Sequence, residues 1–290
     1  MIRSALFLGC LLLQTVSEYA SAGERLPIWP AAVAAEMKGA ATLEFLPVPE
    51  DNEVKANGSI IIVLPGGGYR QLMDTYEGAD ASRYFHRHGI HGAVLRYRVG
   101  QAHPAPLEDA LRAIQYVRAH AAEHGVDPKK IGVMGFSAGG HLASTALTLH
   151  QPGDPQSSDP VSMLSSRPDF GILCYPVISM LDADTHKGSR KTLLGEKADD
   201  PEMQKRLSTH LRVNATTPPT FLVHTGGDTV VLPRNSILFY ESCLAAKVPA
   251  ELLIIGHGPH GIGLGKDAHQ QRWPEQAASW MTNHGFLPKP

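Results

Sequence analysis

Cysteine is scarce in this chain: three in 290 residues, Cys10, Cys174 and Cys243. That excludes a disulfide-built scaffold, and the lack of a C-x-x-C pair excludes the common zinc-ribbon sites. An excess of either charge is missing too. With 26 Lys+Arg against 28 Asp+Glu the formal net is −2 and no basic run stands out, so nucleic acid has no electrostatic footprint to bind. The apolar stretch at residues 5–13 falls short of the ~20 residues a membrane-spanning helix needs, and no span is expected. The 15 histidines raise the question of a metal, yet H-E-x-x-H is absent. His86, His88 and His91 stand near ligand spacing, but side chains two residues apart on a helix point about 200° apart. They are read as solvated surface residues, and no metal is expected.

What is present reads first as an export signal. Arg3 supplies a positive start, residues 5–13 an apolar segment, and Ala20-Ser21-Ala22 a small-x-small cleavage site, giving a leader over 1–22 and a secreted or periplasmic protein. "FLGC" at residues 7–10 hints at lipidation of Cys10, but the apolar run continues past it, which favours cleavage after Ala22. Cys174 and Cys243 then remain, each inside an apolar pattern, and are expected as buried thiols.

From residue 42 onward β-branched runs alternate with helical patterns. Strands are expected at 42–48, 59–64, 91–97, 130–136, 169–175, 220–225 and 250–255, and helices at 78–88, 107–124, 138–150, 234–247 and 270–283. Continuous apolar runs such as "IIIVL" suit a parallel sheet covered on both faces, so the expected class is one α/β domain over 23–290. The long connection 176–219 is rich in charge and is expected to form a small helical cap or lid.

Within "IGVMGFSAGGHLAS" (131–144), Gly135-Phe136-Ser137-Ala138-Gly139 reads G-x-S-x-G at a strand-to-helix junction. The bland reading is a small-residue turn that lets strand and helix pack closely. The chemical reading is a nucleophile elbow, with the Ser137 hydroxyl raised above the sheet. A serine nucleophile needs a base and donors for an oxyanion. Donors are offered by "PGGG" (65–68), which follows an apolar strand and lacks the G-K-[ST] of a phosphate loop. Gly67, Gly68 and the N–H of Ala138 are assigned as the oxyanion hole. The order Ser…Asp…His points to Asp228 at the end of "PTFLVHTGGD", then to His257 or His260 in "HGPHG". Asp228 has the competing role of a turn or cap aspartate. His260 lies deeper in its loop and can fold back over Ser137, whereas His257 follows the strand more closely; both stand as candidates.

These motifs, with "YEG" (76–78), "HPAPLEDALRAIQYVRAHA" (103–121), "RPDFGILCYPV" (167–177) and "PHGIGL" (259–264), resemble the α/β-hydrolase superfamily. More narrowly, they are similar to secreted carbohydrate acetyl esterases of the acetyl xylan esterase type, near the hormone-sensitive-lipase-like enzymes. The resemblance spans about 60–265 and implies an α/β-hydrolase fold, a Ser137–His260–Asp228 triad, no cofactor, and a small-molecule or oligosaccharide ester as substrate. Two positions depart from the pattern: Pro65, where lipase-like relatives carry histidine, and Pro259, where glycine is usual. The alternatives are a general short-chain carboxylesterase, a serine peptidase of the prolyl-oligopeptidase type, and a binding protein with a dead site. About 40 residues before the first core strand cannot build a peptidase's propeller.

Overall fold

A computed structural model describes residues 23–289. The expected leader over 1–22, and Cys10 within it, lie outside the described residues. Eight strands form one sheet: β1 (Glu24–Pro27), β2 (Thr42–Leu46), β3 (Ile60–Leu64), β4 (His91–Arg96), β5 (Ile131–Phe136), β6 (Phe170–Cys174), β7 (Thr220–Thr225) and β8 (Ala250–Ile255). Their order is β1-β2-β4-β3-β5-β6-β7-β8; β2 pairs antiparallel with both β1 and β4, so it alone runs against the rest, and every other pair is parallel. The helices are α1 (Ala31–Glu36), α2 (Asp80–Tyr84), α3 (Ala105–Ala119), α4 (Ser137–Thr148), α5 (Lys187–Leu194), α6 (Pro201–Leu207), α7 (Arg234–Ala245) and α8 (Trp273–Asn283).

Strand alternation divides the core into two layers. Ile60, Ile62 and Leu64 face α3, α4 and α7, packing with Ile114, Leu142 and Phe239. Ile61 and Val63 face the opposite side, where Phe85, Trp273 and Trp280 cover the sheet. Every residue of β3 and β5 is buried, which explains their uninterrupted apolar runs. The expected α/β class stands, and the two cysteines are free and buried, one in each layer.

Three expectations change in detail. The helix expected over 78–88 is a turn of π-helix (Thr75–Ala79), the short α2, and a 3-10 turn (Phe85–His88). β1 carries no strand-like pattern in "ERLP" and is an edge strand paired only with β2. The histidines read as solvated are not all so: His91 is buried and accepts the Val48 N–H through Nδ1 at 3.1 Å, and His86 Nε2 lies 3.1 Å from the Leu46 carbonyl. Backbone groups at and just beyond the end of β2, which composition cannot reveal, hold them. Among the described residues no helix is long and apolar enough to cross a membrane.

The segment between β6 and β7 contains α5, α6 and two 3-10 turns. Leu193, Leu194 and Leu207 are buried in the layer that holds α4, so this segment is rooted in the core rather than draped over it.

Candidate active site

β5 ends at Phe136 and α4 begins at once with Ser137, whose φ of 53° lies in the left-handed region that non-glycine residues avoid. So sharp a junction demands close backbone approach. A Cβ at Gly135 would strike the Gly139 carbonyl, and one at Gly139 would strike the carbonyls of Leu64 and Pro65. Glycine is required there because strand, turn and helix touch one another.

The turn lifts Ser137 to the carboxyl ends of the strands, where loops after β7 and β8 meet it. His260 Nε2 lies 2.8 Å from Ser137 Oγ, and His260 Nδ1 lies 2.6 Å from Asp228 Oδ2. Asp228 is itself fixed by the N–H groups of Val230 and Val231, each donating to Oδ1 at 2.9 Å, and by His224 Nε2 at 3.3 Å. Burial pushes the Asp228 pKa upward, but hydrogen bonds from His224, His260 and Val231 outweigh it and hold the carboxyl far below the usual carboxylate range. An ionised Asp228 accepting from Nδ1–H leaves Nε2 of neutral His260 as the acceptor facing the serine. His257, the competing candidate, is exposed and pairs with Asp267 at 3.0 Å.

The glycine loop lies beside them. Gly67 has φ +127° and Gly68 φ +66°, and the Gly67 carbonyl accepts the N–H groups of Arg70 and Gln71. Among the described residues, the N–H groups of Gly67 and Gly68 meet no acceptor. Ala138 is the second residue of α4, where a backbone N–H has no intrahelical partner. With Ser137, His260, Tyr76 and His186, the glycines line a cavity of about 210 Å³. A larger cavity of about 630 Å³ lies elsewhere, between His103–Pro104 and the end of α5, and contains none of these groups.

Three supporting residues were not singled out from the sequence. Glu77 accepts the Gly66 N–H at 3.0 Å on one carboxylate oxygen and the Tyr175 hydroxyl at 2.8 Å on the other. Tyr175 in turn accepts the Gly263 N–H at 2.9 Å, so one buried carboxylate joins the glycine loop to the loop carrying His260. With the Tyr97 hydroxyl donating to the Pro65 carbonyl at 2.7 Å, it anchors the glycine loop. His141 lies 2.7 Å from the Tyr69 hydroxyl and 2.8 Å from the Leu207 carbonyl, and burial lowers its pKa to about 4. His186 caps α5 and faces the cavity. Glu77 and His141 sit inside the quoted motifs "YEG" and "GFSAGGH", which is the one signal that marked them.

The strand order, the reversed β2 and the serine at the β5–α4 turn together define an α/β-hydrolase. Residues 46–243 match the BD-FAE family model, and the chain belongs to that family. It is 35% identical over 213 residues to an acetylxylan esterase of Xylanibacter ruminicola, covering 72% of this chain and 42% of that protein. It is 34% identical over 218 residues to endo-1,4-beta-xylanase B of Butyrivibrio fibrisolvens, covering 73% of this chain and 34% of that protein. The matched region therefore spans between a third and a half of either relative's length. A crystal structure of an acetyl ester-xyloside bifunctional hydrolase from Caldicellulosiruptor lactoaceticus superposes with a TM-score of 0.86 at 39% identity, covering 93% of this chain and all of that one.

Proposed function

We propose that this protein is an exported serine esterase that removes acetyl groups from carbohydrate esters, acetylated xylan or its oligosaccharides foremost. The observation that carries the reading is His260 bridging Ser137 Oγ and the buried Asp228 carboxylate, at 2.8 and 2.6 Å, beside a cavity of about 210 Å³. Ser137 Oγ attacks the ester carbonyl carbon as its proton passes to His260 Nε2. The carbonyl oxygen, now negative, is held by the N–H groups of Gly67, Gly68 and Ala138. The intermediate collapses, the C–O bond to the alcohol breaks, and the proton on His260 moves to the departing alkoxide. Water, deprotonated by the same imidazole, then hydrolyses the acetyl-serine and regenerates the hydroxyl. Asp228 holds the imidazole in one tautomer and stabilises its charged form.

The acyl preference follows from size. On this reading the acyl pocket ends behind the acetyl methyl and rejects longer chains by steric clash, whereas each further methylene it could accept would add up to ~0.8 kcal/mol of binding. The 176–219 segment contributes His186 to the cavity lining, and its Leu193, Leu194 and Leu207 are core residues. The leader-like start at 1–22 accords with a substrate found outside the cell. Rates on acetyl, butyryl and octanoyl esters, acetylated xylo-oligosaccharides and proline peptides test the reading. The expected result is kcat/KM falling from acetyl to butyryl and vanishing at octanoyl, with acetate released from the sugar esters and the peptides untouched. A rate rising with chain length contradicts the sugar-ester reading.

A further inference from the structure

One side chain in the cavity has no part in the mechanism above. His186 stands immediately before α5, and its Nδ1 accepts the Ser189 N–H at 3.3 Å and lies 2.8 Å from the Ser189 hydroxyl. A backbone N–H can only donate, so Nδ1 carries no proton and neutral His186 must hold its hydrogen on Nε2. Among the described residues Nε2 has no hydrogen-bond partner, while the ring lines the same cavity as Ser137. Burial and the nearby His260 and Arg70 lower the His186 pKa, which keeps the ring neutral and this tautomer in place.

A second donor stands beside it. Arg70, exposed on the glycine loop, also lines the cavity, and its guanidinium makes no hydrogen bond or ion pair among the described residues. The two groups converge over Gly188. A Cβ placed there would lie 3.5 Å from His186 Nε2 and 3.9 Å from an Arg70 terminal nitrogen, so both donors stand within 4 Å of one point.

We infer that His186 Nε2–H, with the Arg70 guanidinium, donates hydrogen bonds to hydroxyl oxygens on the alcohol side of the substrate and so selects esters of polyols. The inference rests on the proposed esterase chemistry. In that chemistry the carbonyl oxygen is taken by backbone N–H groups and the leaving oxygen by His260, which leaves these two donors for atoms further along the alcohol. An alcohol without acceptors would cover the Nε2–H and leave it unpaired, a loss that a sugar hydroxyl avoids.

The test compares kcat/KM for an acetylated xylo-oligosaccharide with kcat/KM for phenyl acetate, whose alcohol carries no hydroxyl neighbour. His186→Asn is the chosen variant: its side-chain oxygen can still cap α5, but it is too short to reach into the cavity. Losing one net hydrogen bond corresponds to about 3–10-fold. The ratio of sugar-ester to phenyl-acetate kcat/KM is expected to fall by that amount. Arg70→Gln, at an exposed position, is expected to move the ratio the same way and serves if the first variant folds poorly. A ratio within about twofold of the wild type in both variants, with the wild type active on the sugar ester, overturns this inference and leaves the esterase reading standing. A wild type that hydrolyses phenyl acetate but no sugar ester overturns the polyol class and this inference together.

Discussion

Glu77 shows how the reacting groups depend on a residue that performs no bond making. Its two carboxylate oxygens accept from Gly66 N–H and Tyr175 Oη–H, and Tyr175 accepts from Gly263 N–H. Burial raises the Glu77 pKa while those bonds, led by Tyr175, and the nearby His260 draw it back. Replacing the carboxylate by an amide breaks the symmetry of a group that needs to accept on both sides. Glu77→Gln is expected to lower kcat about 10–100-fold, the scale of a misplaced reacting group, with KM within about threefold of the wild type. Steady-state kinetics check it; a rise in KM at unchanged kcat would make Glu77 a substrate contact instead. Ser137 and Asp228 could be read from spacing because chain order and strand ends constrain them, whereas spacing left His257 beside His260 and only the family resemblance chose between the two. Glu77 could not, since its partner Tyr175 is 98 positions away and nothing local marks the pair.

At the scale of elements, His141 holds three pieces together. It lies on α4 directly behind Ser137, and the Leu207 carbonyl at 2.8 Å can only accept, so Nε2 carries the proton. Nδ1 then accepts from the Tyr69 hydroxyl at 2.7 Å, tying the glycine loop to α4 and α4 to the end of α6. Ser144, donating to Thr209, and Asn235, receiving the N–H groups of Ile178 and Ser179, fasten the same segment further along. His141→Ala leaves a buried hydroxyl and a buried carbonyl unpaired and opens a void. It is expected to destabilise the fold by about 2–4 kcal/mol, read as a lower urea midpoint at unchanged slope. An unchanged midpoint would show that the 176–219 segment does not depend on His141. The inner parallel strands, β3 to β7, were plain in the sequence because both faces are buried. β1 was not, because an edge strand of four residues needs no apolar pattern. The helix expected over 78–88 is entered through the π-turn Thr75–Ala79, which holds Glu77 beneath the glycine loop, and ends in the 3-10 turn Phe85–His88.

For the molecule as a whole, acid sensitivity follows from its buried and half-buried imidazoles. Burial lowers the pKa of His86, His91, His103, His141 and His186 below the ordinary histidine value. Each binds a proton more readily unfolded than folded, so the stability it permits at neutral pH declines as pH falls below the unfolded value of ~6.5. Asp228 acts lower still: its depressed pKa contributes stability that is present above ~3.9 and lost below it. Glu77, Asp109 and Asp169 are shifted upward by burial and oppose this, three carboxyls against five imidazoles. The urea midpoint is therefore expected to drop between pH 7.5 and pH 5.5, and a midpoint that holds or rises over that interval contradicts the assignment of neutral buried histidines.

The central claim is that Ser137 becomes acylated, and covalent trapping tests it most directly. An organophosphate that reacts with activated serines, followed by peptide mass spectrometry, is expected to place a single label on Ser137 in step with loss of esterase activity. Ser137→Ala should take up no label and lose roughly 10⁴–10⁶ in kcat. A label on another residue, or full activity in Ser137→Ala, would contradict the account.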